Sequence, residues 1–419
     1  MSGRRTVAIV GGGVIGLCCA WYALREGYRV IVVERGPADR DCCSLGNSGL
    51  IVPSHLTPLA APGVVGVALR SLFDARSPLR LHARIDPGYL RWCWLFLRHA
   101  NAAHVARAAP ALRDISLLSM RCYTGLAEEW RNSFGLRQRG LLMLSCTQHG
   151  FEEEAQAAED ARRLGIDAHV LEAAAAAQLE PSMKMSLAGA VHYPLDAYLT
   201  PQTFVAEITR RLQTEGVEFR WSTAITGWDV HGQRIQAART RDGEIAAEHF
   251  VISAGVWSTL VARSLGLRVP LEAGKGYNLT LPRPRAQPIM GAILTEARIA
   301  VTPMDGTLRF AGTMQLSGLD GSIDRRRVRA LIEAVSRYYP EFTPQDFDGV
   351  QPWSGLRPCS PDGLPYIGRS SRYDNVLVAA GHAMMGMSLA PATGLLVSEL
   401  LAGRPTSVAT GQFAVDRFA

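Results

Sequence analysis

The sequence predicts an α/β chain in which a discontinuous, doubly wound dinucleotide-binding domain is joined to an α+β domain carrying an antiparallel sheet. Three observations predict it. The first is a strand, glycine turn, helix, strand unit near the start, T-V-A-I-V-G-G-G-V-I-G-L-C-C-A-W-Y-A-L-R-E-G-Y-R-V-I-V-V-E from Thr6 to Glu34. The second is an apolar run, H-F-V-I-S-A-G-V-W-S from His249 to Ser258, which follows a meander of short strands and ends in A-G. A run of that kind is how a doubly wound domain returns to its sheet far downstream. The third is a separate group of alternating segments between Lys275 and Thr313, G-Y-N-L-T-L, A-I-L, A-V-T-P and L-R-F-A-G-T, whose period suits antiparallel strands.

In the first unit each residue type has a physical task. Gly11 permits the tight turn, Gly13 lets the backbone approach a pyrophosphate, and Gly16 lets the helix pack on the strand. The amides of Val14 and Ile15 open the helix and face an anion at its positive end. Glu34, followed by Arg35, ends the second strand where its carboxylate would accept hydrogen bonds from an adenosine ribose. This frame makes the unit Rossmann-type, but the turn alone serves NAD and FAD equally. A signal or membrane-spanning reading of the uncharged stretch from Thr6 to Leu24 is set aside, because the glycines fall at phosphate spacing and a second strand follows.

The totals bound the rest. A chain of 419 residues holds roughly two or three ordinary domains. Hydrophobic content of 47% with 20% charged residues belongs to a compact protein with a large core. The net charge of +6 is spread over short arginine runs without interleaved aromatics, so no nucleic-acid partner is expected. Eight cysteines show neither a CxxC nor a metal spacing, so reduced thiols, no metal and a cytoplasmic chain are expected.

After Glu34 comes a polar loop and then C-C-S-L-G-N-S-G-L-I-V-P-S-H. Its small residues Ser44, Asn47, Ser48 and Gly49 can lie flat against a planar ligand. P-L-A-A-P-G-V-V, from Pro58 to Val65, continues irregularly. The stretch from Pro87 to Ala100 predicts a helix with Leu90, Trp94 and Leu97 on one face and Trp92 and Phe96 on the next, a core or interdomain stripe by preference and a membrane contact as the minority reading. Helices are expected through Phe134, over 151–164 and near 172–179, with a strand at 141–145. Thr200 is expected to cap a helix that starts at Pro201. Strands follow within 217–258, ending at Gly255, and a basic helix spans 324–339 up to Pro340. The last stretch gives G-L-R-P-C-S-P-D-G-L-P-Y-I-G, a strand over 375–380, the turn G-H-A-M-M-G and a final helix. The division that follows is 1–85, 190–272 and 350–419 for the dinucleotide domain, with 86–189 and 273–349 for the substrate domain.

Taken together, the first turn, the A-G strand end, G-L-R-P-C-S-P-D-G-L-P-Y-I-G and A-A-G-H-A-M-M-G-M-S-L-A-P-A-T-G resemble the D-amino-acid-oxidase superfamily of FAD enzymes over nearly the whole chain. G-K-G-Y-N-L-T and the S-x-x-N-x-G loop followed by A-A-P-G are similar to the bacterial D-amino-acid dehydrogenases within it, and G-N-S-G-L-I-V-P-S-H resembles enzymes of D-hydroxyproline breakdown. The resemblance implies FAD as cofactor. It implies that Arg357, in G-L-R-P, binds a substrate carboxylate, with a structural arginine paired to Asp362 as the alternative. It also implies that Gly381, His382, Met384, Met385, Gly386 and Met387 cross one edge of the flavin at the start of the last helix, with Gly255 beside it. Where related enzymes carry a tyrosine this chain has Ala300, so the second carboxylate contact is Tyr277 or is absent, and the space suits a cyclic substrate.

The reaction this implies is hydride transfer from the α-carbon of a D-amino acid to FAD, giving an imine, with cis-4-hydroxy-D-proline as the type substrate. A broad D-amino-acid dehydrogenase and a glycine or sarcosine oxidase are the alternatives. His55 and His382 are read as loop histidines rather than proton carriers, and Cys359 as a free thiol. An NAD enzyme would leave the C-terminal motifs without a role, and a non-catalytic subunit would not need Arg357. A respiratory quinone or another carrier is the expected electron acceptor, with peripheral contact to the inner membrane compatible with Tyr89 to Leu97.

Overall fold

The computed structural model describes residues 5–64, 66, 79–81, 84 and 86–419; Val65, the end of the P-L-A-A-P-G-V-V segment, lies outside them. The Rossmann-type unit forms the centre of a six-stranded sheet. Its order is Tyr366–Arg369, Val376–Ala380, His249–Ile252, Thr6–Val10, Arg29–Val33 and Glu218–Arg220. All neighbours pair in parallel except the antiparallel edge strand Tyr366–Arg369. Strands from three distant stretches of chain therefore share one sheet, because each βαβ crossover must return beside a strand already laid down.

The first helix, Val14–Arg25, is buried over most of its circumference, which is why its sequence is apolar all round. It packs under the last helix, Gly386–Ala402. The stretch Ala383–Ala402 is long and apolar enough to cross a membrane, yet 72% of it lies inside the protein, as in a core helix. Pro391 within it has no N–H to bond the Met387 carbonyl. Tyr123, from the helix Ala102–Glu129, donates to that oxygen at 2.7 Å, and Ser119 donates to the Ser388 carbonyl at 2.6 Å. Side chains of a neighbouring helix thus satisfy the turn that proline opens.

The second sheet has nine strands. Its path runs Trp353–Cys359, Glu272–Leu281, Thr307–Leu316, Ile299–Met304, Gly291–Leu294, Leu141–Ser145, Gly189–Tyr193 and His169–Glu172, with Leu79–Leu81 added beside Thr307–Leu316. One face is covered by the helix Arg325–Tyr338 through Leu279, Leu281, Phe310, Leu331 and Val335. The other face turns toward the first sheet and carries the candidate site. A three-stranded meander over 227–246 is the insertion that precedes His249.

Several sequence expectations are corrected here. The strand Trp353–Cys359, grouped at 350–419 with the dinucleotide domain, hydrogen-bonds to Glu272–Leu281 in the large sheet, as do Gly189–Tyr193 and Leu79–Leu81 with their own neighbours there. The run from His249 is a strand only to Ile252; a 3-10 turn at Gly255–Trp257 and a helix from Ser258 follow. Thr200 stands at the N-cap of the helix Pro201–Thr214, but its hydroxyl donates to Asp305 at 2.9 Å and caps nothing. In the helix Pro87–His99 the buried positions are Tyr89, Trp92 and Leu95, so Leu90, Trp94 and Leu97, each 54% exposed, form an outer face rather than core.

Candidate active site

The glycine turn has the geometry its sequence implies. Gly11 has φ +113°, and a Cβ there would come within 2.5 Å of the Ser253 carbonyl oxygen. A Cβ on Gly16 would overlap the Gly11 carbonyl. Gly13 precedes the helix without capping it through a side chain, and the first turn holds no acid, so the positive end of the helix is not neutralised. Ile15, half-buried, packs on the adjoining core. Glu34 accepts from the Gly12 and Gly36 amides, each at 2.8 Å, which fixes its carboxylate at the turn. Arg35 lies 3.7 Å over the ring of Trp257, beside Gly255 with its φ of +57°.

The loop over 44–49 runs from this turn to the large sheet. The Ser44 hydroxyl accepts from the Val14 amide at 3.0 Å, tying the loop to the helix start. Asn47 accepts from the Gly49 amide at 2.8 Å and closes a local turn. Ser48 is half-buried within that turn. Below it, Arg309 donates to the Leu45 and Asn47 carbonyls at 3.1 and 2.6 Å and to the Thr280 hydroxyl at 3.0 Å. Burial holds its guanidinium down at about 10. Asn278 donates to the Gly46 carbonyl at 2.8 Å, and Trp353 packs its ring on Gly46 while donating to Asp41 at 2.6 Å. Sequence reasoning missed all three residues. The signal was an arginine inside the otherwise apolar L-R-F-A-G-T strand.

Register decides what faces this loop. Met143, Ile293, Ala300, Ala311, Asn278 and Trp353 are successive cross-strand partners, so they form one row on the face that Asn278 turns toward Gly46. Ala300 lies in that row, near Leu50, Val52 and Met385. Arg357 pairs with Gly274 four residues along the same face, and its guanidinium occupies the space that a side chain on Gly276 would need. Its Nη1 donates to the Thr313 carbonyl at 2.6 Å, and no carboxylate among the described residues is paired with it. Burial lowers its pKa from the ordinary arginine range. Asp362, the alternative structural partner, is instead held by Arg417 through contacts of 2.7 and 3.0 Å.

Tyr277 requires a correction. It alternates with Gly276 and Asn278, so it points to the opposite face, where its hydroxyl donates to Gln315 at 3.0 Å and accepts from the Asp324 amide. It is 1% exposed and does not share a face with Arg357.

The last motif closes the site. Cys359 forms an antiparallel bridge with His382, which brings the strand of Arg357 onto the turn 381–386. Gly381 has φ +82° and Ala383 φ 46°, so the chain folds back sharply into the helix at Gly386. His382 is buried with Nε2 2.9 Å from the Thr393 hydroxyl, and burial pushes it down to about 3, so it stays neutral. His55 is likewise pushed down by burial. Met384 is 37% exposed, Met387 is buried, and Met385 packs on Leu50 and Val52. The Val52 amide donates to Ser388 at 3.0 Å, joining this turn to the loop. The Cys359 thiol is free, buried and pushed up to about 12.

The comparisons agree with this architecture. Residues 6–400 match the DAO model, described as FAD dependent oxidoreductase. A "D-amino acid dehydrogenase" of Paramagnetospirillum magneticum is 31% identical over 98% of both chains, and one of Agrobacterium fabrum 29% identical over 99% of both. The glycine oxidase of Geobacillus kaustophilus has the same fold at TM-score 0.79, with 23% identity over all of both chains. The L-proline dehydrogenase of P. horikoshii does so at TM-score 0.75, with 17% identity over 100% of this chain and 98% of that one. The helix start without an acid in its first turn, the anchored acid and the loop bonded by Arg309 fit FAD, and the chain belongs to the DAO family of FAD dependent oxidoreductases.

Proposed function

We propose that this protein oxidises D-amino acids, with a proline-type ring such as cis-4-hydroxy-D-proline as substrate and a respiratory quinone or another carrier as electron acceptor. The observation that carries the reading is Arg357: a guanidinium with no acid partner among the described residues, half-buried, on the face beneath the loop 44–49. Its planar fork matches a carboxylate through two parallel hydrogen bonds. FAD, when bound, supplies the centre that accepts a hydride from the α-carbon. The protein's task is orientation, and Arg357 performs it by fixing the carboxylate end of the substrate. Ala311 and Ala300, on the same face, leave room beside it, which favours a cyclic side chain. The neutral His382 is committed to Thr393 and holds the turn rather than moving a proton. The names of the relatives support an amino-acid substrate; the choice of a D-proline ring rests on Ala300 and on the G-N-S-G-L-I-V-P-S-H resemblance.

The test is anaerobic mixing of the purified yellow protein with cis-4-hydroxy-D-proline, D-proline, D-alanine and glycine, followed at the flavin absorbance band. Rapid bleaching by the D-prolines alone is expected. Bleaching by D-alanine at a similar rate would replace the ring preference with a broad D-amino-acid specificity, and no bleaching by any of them would overturn the reading.

A further inference from the structure

The geometry assigns a second carboxylate-binding group to Thr313, and we propose that its hydroxyl, together with Arg357, clamps the substrate carboxylate. The assignment rests on the function proposed above and names the partner that Tyr277 does not provide.

Four observations meet at this residue. The pairing of Glu272–Leu281 with Thr307–Leu316 slips between Lys275 and Tyr277, leaving an extra residue in the second strand at Thr313. Thr313 has φ 67°, a left-handed conformation that a β-branched residue adopts only where the surroundings impose it. Bulges of this kind re-aim backbone groups beside active sites, and here the Thr313 carbonyl accepts from Arg357 Nη1 at 2.6 Å. The Thr313 hydroxyl oxygen is itself buried and has no hydrogen-bond partner among the described residues.

A buried, unsatisfied hydroxyl costs stability unless something bonds to it. Only a few covalent bonds separate it from the carbonyl that holds Arg357, so a group docked on the guanidinium lies within its reach. Arg357 grips the carboxylate with the rest of its fork, and the threonine O–H adds a further donor to one of the same two oxygens. The strained bulge then has a use: it holds the arginine by one oxygen and offers a donor with the next.

Two variants of the holoprotein test this. Thr313→Val removes the hydroxyl and keeps the branched shape, and Thr313→Ser keeps the hydroxyl. The readouts are the Kd of pyrrole-2-carboxylate, from the perturbed flavin spectrum, and the KM against kcat for D-proline. A hydrogen bond to a charged group is worth enough to change affinity about tenfold. Thr313→Val is therefore expected to raise Kd and KM roughly tenfold with kcat within about twofold, while Thr313→Ser stays within about threefold of the parent. Unchanged binding in Thr313→Val, equal loss in both variants, or no spectral response of the parent protein to pyrrole-2-carboxylate would overturn the assignment. Failure of the amino acids to reduce the flavin would count against the proposed function instead, since ligand binding is read without turnover.

Discussion

Replacing Arg309 separates the stability of this fold from its ability to hold the cofactor. In Arg309→Met three hydrogen bonds are lost, to the Leu45 and Asn47 carbonyls and the Thr280 hydroxyl. Charge-assisted bonds contribute about 1.5–3 kcal/mol each when both ends are buried. Leu45 and Asn47 are only half-buried, so water can replace part of that, and about 1 kcal/mol per carbonyl is the better figure. Against this stands the cost of burying the guanidinium. A shift from 12.5 to about 10 corresponds to roughly 3 kcal/mol at 1.36 kcal/mol per unit. The terms nearly cancel in the folded protein, so the Tm of the apoprotein is expected to move by only a few degrees. Loop order is a different matter: among the described residues Asn278 holds only the Gly46 carbonyl between them, and Arg309 alone bonds both Leu45 and Asn47 to the sheet. FAD would then have to order the loop itself, and its Kd is expected to rise ~10–100-fold, or ~1.4–2.8 kcal/mol. Titration of apoprotein with FAD, followed by flavin fluorescence, measures this. Arg309→Lys, a point charge without the fork, should recover only part of the loss. An unchanged Kd in Arg309→Met would refute this role for the residue.

Other perturbations follow from the same geometry. Gly16→Ala places a methyl group into the Gly11 carbonyl, and the purified protein is expected to be colourless or insoluble; normal flavin content would contradict the turn geometry. Asp196 is buried, accepts from the Ser54 amide and hydroxyl at 3.1 and 2.5 Å, and is pushed up to about 7 by burial. Because its folded pKa lies above the unfolded value near 3.9, the native state holds the extra proton between about pH 4 and pH 7, and stability falls as pH rises through that window. The upper bound is ~4 kcal/mol. His249 and His382, pushed down to about 4 and about 3, act in the opposite sense below pH 6.5. The difference between parent and Asp196→Asn isolates the carboxyl: the variant should lose less stability from pH 4 to 7 in urea titrations, and parallel curves would sink the assignment. Tyr277→Phe should cost about 1 kcal/mol of stability through its lost hydrogen bonds while leaving pyrrole-2-carboxylate affinity within about twofold; a large loss of binding would restore it to the site.

The turn, its helix and the second strand were legible in the sequence because their constraints are local. Gly11, Gly16 and Glu34 act within one supersecondary unit, and spacing alone reports them. Arg357 was legible only through a motif resemblance, since its strand reads as P-C-S-P and loop from composition. Tyr277 was misread because its face depends on alternation and register against Trp353–Cys359, and neither strand announces its partner. Arg309 and Asn278 escaped for a related reason: each acts across a sheet on a loop more than two hundred residues away in sequence. Thr313 escaped because it holds Arg357 from a bulge whose register no local pattern reports. Leu90, Trp94 and Leu97 had the periodicity of a core stripe, but the helix buries the adjoining face through Tyr89, Trp92 and Leu95. Periodicity finds a helix and cannot say which of two apolar faces the rest of the chain covers.

The central claim is that Arg357 recognises the carboxylate of an amino acid poised for oxidation, and stopped-flow flavin reduction by D-proline in the parent protein and in Arg357→Met tests it most directly. Losing one partner of a desolvated charge pair costs 2–5 kcal/mol. The apparent Kd for D-proline is therefore expected to rise by ~10²–10³-fold or beyond saturation, with FAD still bound and the Tm nearly unchanged. Reduction of the variant with the parent's concentration dependence would contradict the account.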